Sequence, residues 1–455
     1  MDKLLADISS FYFVGIGGVS MSSLATIFKS KEKKVGGYDY KPSETTKRLS
    51  DCGICVNYEK NINNSKGYEA CVYTAAIKED DPELIFAKQN CKYVFSRAKL
   101  LGMITGAHAC SIGVAGTHGK STTTGMLAQI ALNHDSDCTI LGGAFIPAIN
   151  SLYQYKNSDL AVFEACEYKN SYHEMQPTIK VVLNCQHDHV DFFPTIDDVV
   201  ASFHKYIDTQ RESGGKNIAV VNKDCKNACK AAQNTNAEVY YYSTEEKCDF
   251  YARNISLKNG CGCFDIYNND SHFVHVELKV PGLHNVQNAC AACAAASVAG
   301  ISAQSIQKGL CDFCGVSRRF EIKGSVNGAT IADDYAHHPD EILATLKAAR
   351  LMGFKRIIGV FQPHTYSRTK ALLGEFASAL GLCDIAVLGE IYSARELNTD
   401  GVSSLDIAKL IPGAKYFESF EQICAFIKQT ACEGDLVITM GAGNINVLCD
   451  MIKDI

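Results

Sequence analysis

The sequence predicts an α/β protein built from parallel sheets, and three observations support that fold class. Short runs rich in β-branched and aromatic residues alternate with helical stretches from one end of the chain to the other. Two of these runs lead directly into glycine-containing turns, at 15–18 and 116–119, as strands do in strand–turn–helix units. The chain has 455 residues, enough for two to four domains, and 47% of them are hydrophobic, as in an ordinary globular protein.

Composition and charge exclude several classes of protein. The net charge is −6 and no basic stripe is present, so we expect no nucleic-acid partner. No apolar run reaches the roughly 18 residues that a membrane-spanning helix needs, and Asp7 and Ser9 interrupt the apolar start, unlike in a signal peptide. We therefore expect a cytoplasmic protein that does not bind a membrane. Its oligomeric state stays open.

The 21 cysteines predict reduced thiols, because no export signal accompanies them. Cys290 and Cys293 are followed 17 residues later by a second Cys-x-x-Cys pair, Cys311 and Cys314, which is the spacing of a zinc ribbon. The first pair lies in the alanine-rich run NACAACAAASVAG, however, which predicts a helix without the turn that a zinc knuckle needs. We expect these cysteines to be small core residues rather than metal ligands.

The positions of the motifs divide the chain into three predicted domains, at 1–105, 106–316 and 317–455. In the first domain we expect a strand that runs into glycines at 11–20, a second strand that ends at 39, and further strands at 70–77 and 92–97. In the second domain the expected strands are at 111–116, 159–166, 180–185 and 217–222. In the third domain they are at 329–335, 356–362, 384–390 and 435–443. Helical stretches between successive strands predict mostly parallel sheets.

The stretch GVAGTHGKSTTTG, residues 113–125, joins a predicted strand to a predicted helix. Backbone N–H groups at such a junction bind phosphate, together with the helix N-terminus. A P-loop has a further glycine five positions before the glycine of its GK(S/T), and this chain has Val114 there. Lys120 would still neutralise the β and γ phosphate oxygens, and the Ser121 hydroxyl would bind magnesium. We expect a nucleotide phosphate site in this loop.

Gly15 and Gly17 form part of a dinucleotide fingerprint, in which Ser20 replaces the third glycine. Asp39 follows Gly17 by 22 residues, near the position from which an acidic residue reaches a ribose hydroxyl. Three interpretations stay open on these residues alone: a nicotinamide dinucleotide, a different nucleotide, or a structural turn.

Acidic and imidazole side chains follow two strands of the second domain. Glu164 and Glu167 end one of them. The segment HDHVDFF after the next strand supplies His187, Asp188, His189 and Asp191. Because the carboxyl ends of parallel strands meet at one edge of a sheet, we expect a metal site beside the phosphate loop.

Polar and aromatic residues also follow two strands of the third domain, in DDYAHHPDE and FQPHTYSR. They are Asp334, Tyr335, His337, His364 and Arg368. Such a group predicts a pocket for a small zwitterion, with Arg368 on its carboxylate. The pair Arg318–Arg319 lies just before this domain's strands, and an arginine from a neighbouring domain is the kind of group that stabilises a transferring phosphoryl.

The segments GTHGKSTTT, EACEY, HDHVD, GLHNVQNACAA, GVSRRFE, DDYAHHPDEI, FQPHTYSRT and ARE closely resemble those of the Mur ligases, over essentially the whole chain. Within that family the resemblance is to members that join L-alanine to UDP-N-acetylmuramate. It implies a Rossmann-like N-terminal domain that binds the UDP-sugar and a central P-loop ATPase-type domain. It also implies a Rossmann-like C-terminal domain that binds the amino acid and closes on ATP. The implied activity is ATP- and Mg²⁺-dependent amide formation through an acyl phosphate, in the cytoplasmic stage of peptidoglycan synthesis.

The resemblance also implies roles for individual residues. The catalytic residues would be Lys120, Glu164, His189, Arg319 and Asp334, and the magnesium ligands would be Ser121, Glu164 and His189. ATP would be bound by Gly116, Thr117, His118, Gly119, Lys120, Ser121, Thr122, Asn285, Asn288 and Arg319. The UDP-sugar would be bound by Gly17, Gly18, Met21, Ser22 and Asp39, and the amino acid by Tyr335, His337, His364 and Arg368.

The chain departs from the residues usual in this family at a few positions. Ser121 replaces threonine but keeps the hydroxyl, whereas Ser20 and Ser23 replace glycines and affect the contacts expected with uridine diphosphate. Gln186 and Asn444 each stand where an acidic residue is common. Three other interpretations stay open: a ligase of the same architecture that acts on murein tripeptide, a nicotinamide-dependent oxidoreductase, and a non-catalytic nucleotide sensor.

Overall fold

The computed structural model describes residues 3–156, 158–189, 192–211, 214–394 and 396–453, so Asp191 and Arg395 of the motifs above lie outside the described residues. The chain divides into two compact units. One comprises Met1–Ala252, Ile266–Val274 and Asn288–Leu310, and the other comprises Arg253–Asp265, His275–Gln287 and Cys311–Ile455. Of the described helices, none is both long and apolar enough to cross a membrane.

The first sheet consists of five parallel strands. Its elements are α1 (Lys3–Asp7), β1 (Ser10–Val14), α2 (Val19–Ser30), β2 (Lys34–Tyr38), α3 (Glu44–Asp51), β3 (Cys55–Asn57), a 3₁₀ helix (Ile62–Ser65), β4 (Ala70–Tyr73), α4 (Pro82–Asn90), β5 (Tyr93–Ser96) and α5 (Arg97–Gly106). The strand order is β3-β2-β1-β4-β5. The winding reverses between β1 and β4, and ligands of open parallel sheets bind at the carboxyl ends of such strands.

The second sheet has ten strands. The elements of this part of the chain are β6 (Cys110–Ala115), α6 (Lys120–His134), β7 (Thr139–Ile146), a 3₁₀ helix (Pro147–Ile149), β8 (Ser151–Gln154), β9 (Leu160–Glu164), a 3₁₀ helix (Tyr168–Glu174), β10 (Ile179–Val182), α7 (Ile196–Asp208), β11 (Ile218–Asn222), α8 (Lys226–Ala231), β12 (Glu238–Ser243), β13 (Phe250–Lys258), β14 (Cys261–Asn268), β15 (Ser271–Pro281), α9 (Leu283–Val298) and α10 (Ala303–Asp312). The strand order is β15-β14-β13-β12-β11-β10-β6-β9-β7-β8. Since β6 is parallel to both of its neighbours, the carboxyl ends of β10, β6 and β9 lie side by side.

The third sheet has six strands. Its elements are β16 (Glu321–Val326), β17 (Ala329–Asp334), α11 (Pro339–Arg350), β18 (Ile357–Phe361), α12 (Tyr366–Ala371), α13 (Leu373–Leu380), β19 (Ile385–Leu388), α14 (Ser404–Ala408), β20 (Lys415–Tyr416), α15 (Phe420–Thr430), β21 (Leu436–Met440) and α16 (Val447–Ile452). The strand order is β16-β17-β21-β18-β19-β20, in which only the edge strand β16 is antiparallel to its neighbour.

Interior strands of the three sheets have mainly apolar sequences. Every residue of β1, β10, β18 and β21 is buried, as expected for strands covered on both faces. Among these four strands, β10 contains one charged residue, Lys180. Its Nζ donates to Oδ1 of Asn217 at 2.5 Å. Burial lowers the pKa of Lys180 to about 8. Capping residues start several helices; Thr195 and Asp198, for example, form a capping box at α7.

The structure confirms the predicted α/β fold class with mainly parallel sheets, and it adds strands that were not predicted. The segment from β12 to β15 was not identified, because its strands alternate between buried and exposed residues and carry many polar side chains. The predicted alanine-rich helix is confirmed as α9, in which Cys290 and Cys293 are both fully buried.

Candidate active site

The loop between β6 and α6 is short and depends on two glycines. Gly116 and Gly119 have φ angles of +149° and +86°, a region that favours glycine. A Cβ on Gly119 would also lie only 2.6 Å from Oδ1 of Asn288. Val114, which replaces the first glycine of a longer P-loop, is a fully buried residue of β6. The missing glycine therefore falls within the strand, and the loop keeps both glycines that its conformation requires.

The segment after β10 fixes this loop through hydrogen bonds. Oδ1 of Asn184 accepts the N–H of His118 at 2.8 Å, and Nδ2 of Asn184 donates to the His118 carbonyl at 3.1 Å. Oγ1 of Thr117 accepts the N–H of Gln186 at 2.9 Å. Because this contact of Gln186 uses its backbone, the departure from an acidic residue leaves it intact. The sequence analysis did not identify Asn184; the available signal was its position just after a buried strand beside the loop.

Lys120, the first residue of α6, forms a buried ion pair with Glu167. Its Nζ lies 3.0 Å from each carboxylate oxygen and also donates to the carbonyls of Gly116 at 2.5 Å and Thr117 at 3.1 Å. Burial opposes the ammonium charge, but the Glu167 carboxylate outweighs it and raises the pKa of Lys120. Burial likewise opposes ionisation of Glu167, whose pKa Lys120 and His189 nevertheless keep low. Both groups are therefore charged near pH 7.

Ser121 contacts the carboxylate at the end of β9. Its Oγ donates to Oε2 of Glu164 at 2.8 Å. A Cβ on Gly143 of β7 would overlap that carboxylate, so the glycine leaves room for it. Thr122 follows in the first turn of α6 and is buried. The hydroxyl and the carboxylate that the sequence assigns to magnesium are thus in direct contact.

His189 brings an imidazole to the Lys120–Glu167 pair. Its Nε2 lies 3.4 Å from Oε1 of Glu167, and its ring centroid lies 4.7 Å from that of Tyr168. Its φ of +53° is uncommon for a residue other than glycine, and such backbone strain concentrates at functional sites. His187, by contrast, uses its Nε2 in a hydrogen bond with the backbone carbonyl of Phe193 at 2.9 Å.

Of the three residues predicted at magnesium, Ser121 and Glu164 contact each other, whereas His189 contacts Glu167. Mg²⁺ prefers oxygen ligands, and a hydroxyl beside a carboxylate supplies them. The donor set therefore fits magnesium held by Ser121 and Glu164. Glu167 was noted in the sequence only as a strand-end carboxylate, and the structure gives it a specific partner in Lys120.

The glycine turn after β1 is braced by Asp39, whose Oδ2 accepts the N–H of Gly17 at 2.7 Å. Gly18 is the N-cap residue of α2 and has no side chain to cap the helix itself. Met21 and Ser22, predicted at the UDP-sugar, are 2% and 6% exposed, so their side chains face the interior. Any contact of Met21 with a ligand would use the backbone, whereas the N–H of Ser22 already donates to the carbonyl of Gly18 at 2.8 Å.

Asp334 ends β17 and is almost fully buried. Its Oδ1 accepts the N–H of Ala336 at 2.8 Å, and its Oδ2 accepts the N–H of Phe320 at 3.0 Å and the hydroxyl of Thr345 at 3.2 Å. Burial raises the pKa of Asp334 to about 6, against the opposing effect of Arg319. Asp334 therefore ties β17 to α11 and to the segment before β16.

The two adjacent arginines have different environments. Nε of Arg318 donates to Oδ2 of Asp333 at 2.9 Å, and its other nitrogens donate to the carbonyls of two glycines after β21 at 2.6 and 3.1 Å. Nη1 of Arg319 lies 3.8 Å from Oε1 of Glu341. Both guanidinium groups stand over the ring of Tyr335, at 5.0 and 5.3 Å. Arg318 thus joins two strand ends, a role that the sequence did not reveal.

The residues predicted to bind an amino acid gather at the ends of β17 and β18. Nδ1 of His337 lies 3.1 Å from both the carbonyl of Tyr335 and Oε2 of Glu341. The His337 ring centroid is 6.2 Å from that of His364. Burial lowers the pKa of His364 to about 4, with further lowering by His337 and Arg368, so its imidazole is neutral at pH 7. Arg368 lies on α12, just after this strand.

The two asparagines predicted at ATP lie three residues apart on α9, where side chains share a helix face. Nδ2 of Asn285 donates to the carbonyl of Pro281 at 2.7 Å. Asn288 faces the phosphate loop at Gly119. Burial, followed by Arg319, lowers the pKa of the neighbouring His284 to about 4.

Three family models match successive parts of the chain: the catalytic domain of the Mur ligase family at residues 10–109, the Mur ligase middle domain at 114–296, and the Mur ligase glutamate ligase domain at 318–443. The chain is similar to the UDP-N-acetylmuramate–L-alanine ligases of Agathobacter rectalis (42% identity over 95% of each chain) and Clostridium acetobutylicum (42% identity over 98% of each chain). Its fold is similar to the crystal structure of the UDP-N-acetylmuramate–alanine ligase MurC from Thermotoga maritima, with a TM-score of 0.81 and 24% identity over 97% of this chain and 98% of that one. The chain belongs to the Mur ligase family.

Proposed function

We propose that this protein is an ATP-dependent ligase that joins L-alanine to the lactyl carboxylate of UDP-N-acetylmuramate in the cytoplasmic stage of peptidoglycan synthesis. The observation that carries the proposal is the buried Lys120–Glu167 ion pair at the phosphate loop, next to the Ser121–Glu164 contact. The similarity to ligases of this name over nearly the whole chain supports the substrate pair.

Amide formation from a free carboxylate and an amine is unfavourable in water, so the carboxylate first needs a better leaving group. A carboxylate oxygen attacks the γ-phosphorus of ATP, the bond from that phosphorus to the bridging oxygen breaks, and ADP leaves with the electron pair. The charge of Lys120, held over the loop by the carbonyls of Gly116 and Thr117, stabilises the transferring phosphoryl. When bound at Ser121 and Glu164, magnesium would neutralise further phosphate charge.

The ammonium group of L-alanine loses one proton to solvent, and the resulting amine attacks the carbonyl of the acyl phosphate. The bond from the carbonyl carbon to the phosphate oxygen breaks, phosphate leaves with the electron pair, and the second proton of the nitrogen passes to the departing phosphate. Arg368 is the proposed partner of the amino-acid carboxylate. Tyr335, His337 and His364 are the other proposed pocket residues. Because the pKa of His364 is about 4, its imidazole is neutral and accepts a hydrogen bond from an ammonium group without repelling it.

The predicted boundaries at 105/106 and 316/317 are proposed as the limits of three functional domains. The family models support them, since the first ends at 109, the second covers 114–296 and the third begins at 318. The UDP-sugar is assigned to the first of these, around Gly17, Gly18 and Asp39. The roles of Arg319, Asp334 and Asn285 at ATP stay predictions.

Phosphate release from ATP tests the function. The purified protein is incubated with ATP, Mg²⁺ and UDP-N-acetylmuramate, and L-alanine, glycine, L-serine or murein tripeptide is added in turn. We expect ADP, phosphate and an alanyl product only when all components are present. Product formed while ATP stays intact, or with release of AMP, would refute the acyl-phosphate mechanism. A preference for the tripeptide would favour the ligase that recycles murein peptides.

A further inference from the structure

A cavity of about 90 Å³ lies between the N-terminal part of α2 and the carboxylate of Glu164. Ser20 and Ser23 of α2 line one side, and Gly143 and Glu164 line another. Its volume equals that of about three water molecules in liquid water, which is enough for a carboxylate-bearing fragment. The cavity thus connects the start of α2 with the carboxylate that contacts Ser121.

Arg97, the first residue of α5, lines this cavity and a neighbouring one of about 400 Å³. Within the described part of the chain, its guanidinium has no hydrogen-bond or ion-pair partner. Burial lowers the pKa of Arg97, and the effects of Cys166 and Glu164 offset only part of this. A guanidinium carries five N–H donors, and Arg97 is only partly buried, so these donors remain able to bind an anion in the cavity. The fold therefore presents to this cavity a guanidinium without a hydrogen-bond or ion-pair partner among the described residues, although the Glu164 carboxylate also lines the cavity.

The topology of the first sheet places Arg97 beside the expected ligand crevice. The winding reverses between β1 and β4, and β5 is the next strand along. Arg97 directly follows β5, at the carboxyl end from which ligands are bound in open parallel sheets.

We propose that Arg97 binds the carboxylate of the UDP-sugar acid and holds it for phosphorylation. The inference rests on the proposed function and adds a residue that neither the motifs nor the resemblance assigned to a ligand. A guanidinium binds one or both oxygens of a carboxylate in a fixed planar geometry. With one oxygen on Arg97, the other is free to attack the γ-phosphorus.

The carboxylate is a better partner for Arg97 than the diphosphate of the same substrate. Backbone N–H groups of the turn at Gly17 and Gly18 and the N-terminus of α2 already suit a diphosphate. The cavity runs from Ser20 in the first turn of α2 to Glu164, the proposed magnesium ligand, beside which the reacting carboxylate would lie. At that end the substrate anion would face the negative charge of Glu164, and Arg97 would offset this repulsion.

Calorimetric titrations without ATP test the assignment. The ligands are UDP-N-acetylmuramate and UDP-N-acetylglucosamine, which has the same uridine diphosphate but lacks the lactyl carboxylate. We expect Arg97→Ala to weaken binding of the sugar acid at least about 30-fold and that of UDP-N-acetylglucosamine less than about 3-fold. Arg97→Lys keeps the charge but loses the planar fork, and should lie between the two. Lys99→Ala removes an exposed charge from the same helical turn and should bind both ligands as the wild type does.

Equal weakening for both ligands would assign Arg97 to the diphosphate and overturn the proposal, as would unchanged binding of both. ATP affinity and the thermal midpoint of each variant show whether the fold is intact; if Arg97→Ala fails this check, Arg97→Lys decides by the same comparison. A wild-type protein that binds the sugar acid through Arg97 but releases no phosphate with L-alanine would refute the proposed function and leave this inference standing. A wild-type protein that binds neither ligand would refute both.

Discussion

Nζ of Lys120 lies 3.0 Å from each oxygen of Glu167, whose side chain is only 4% exposed. In a buried pair of this kind each charge is stabilised mainly by the other, so losing one partner leaves an uncompensated charge. Glu167 also contacts Nε2 of His189 at 3.4 Å. The pair thus joins the phosphate loop to the ends of β9 and β10.

Removing the charge of Lys120 should affect both activity and stability. We expect Lys120→Met to lower phosphate release at least about 100-fold, or about 3 kcal/mol, because the transferring phosphoryl loses its cation. The same variant should lose about 3–5 kcal/mol of unfolding free energy, because Glu167 stays buried and unpaired. The double variant with Glu167→Gln should regain most of the stability but no activity. Urea unfolding and phosphate release measure the two effects, and a double variant less stable than Lys120→Met would show that the ion pair is not the cause.

The contact between Ser121 and Glu164 predicts a change in magnesium dependence. Glu164→Gln removes a negative oxygen ligand, so the Mg²⁺ concentration for half-maximal activity should rise about tenfold or more. Ser121→Ala should change it in the same direction. Ser121→Thr keeps the hydroxyl and serves as the matched control, with a dependence like that of the wild type. Phosphate release titrated with Mg²⁺ at saturating ATP gives the values; a slower Glu164→Gln enzyme with an unchanged Mg²⁺ requirement would exclude Glu164 as a ligand.

The sequence predicted residues that belong to a recognisable loop motif or that end a strand, but it did not predict the partner of Glu167. Lys120 and Ser121 follow the glycine loop after β6, Glu164 ends the adjacent parallel strand β9, and the carboxyl ends of such strands converge. Glu167 comes three residues after β9, where its direction depends on an irregular 3₁₀ segment in which Lys169 has φ of +52°. No sequence pattern specifies such a turn, so the pairing of Glu167 with Lys120 could not be predicted.

The two arginines before β16 illustrate the same limit. The directions of two adjacent side chains depend on the local backbone conformation, and Arg318 has an uncommon φ of +62°. The sequence does not specify this angle. Arg318 turns to Asp333 while Arg319 faces Glu341. Arg97 was also overlooked, because its proposed role depends on a cavity lined by α2 and β7, which are far apart in sequence.

Asp334 predicts a pH dependence of stability. Burial raises the pKa of Asp334 from 3.8 to about 6 in the folded protein, so the stability contributed by its protonated form is complete below pH 3.8 and is lost as the pH rises through 6. Between pH 4.5 and 7 the wild type should therefore lose about 2 kcal/mol relative to Asp334→Asn, whose side chain does not titrate. Unfolding free energies of both proteins in urea at the two pH values give this change.

Only the change with pH tests this prediction about Asp334. The amide in Asp334→Asn also alters the hydrogen bonds to Phe320, Ala336 and Thr345, and that effect is the same at both pH values. A difference between the two proteins that stays constant from pH 4.5 to 7 would mean that Asp334 titrates at its ordinary pKa.

Gly143→Ala should impair the site through a single contact. A Cβ at this position would overlap the carboxylate of Glu164, which must then move away from Ser121. We expect phosphate release to fall at least about tenfold, with a raised Mg²⁺ requirement like that of Glu164→Gln, while the unfolding free energy falls by about 1–3 kcal/mol. Gly106→Ala, at the end of α5, adds the same methyl group where no described atom beyond its own helical turn and chain neighbours lies within 4 Å, and it should leave both quantities unchanged. If Gly143→Ala kept the wild-type rate and Mg²⁺ dependence, the position of the Glu164 carboxylate would not matter for the reaction, and its assignment to magnesium would be wrong.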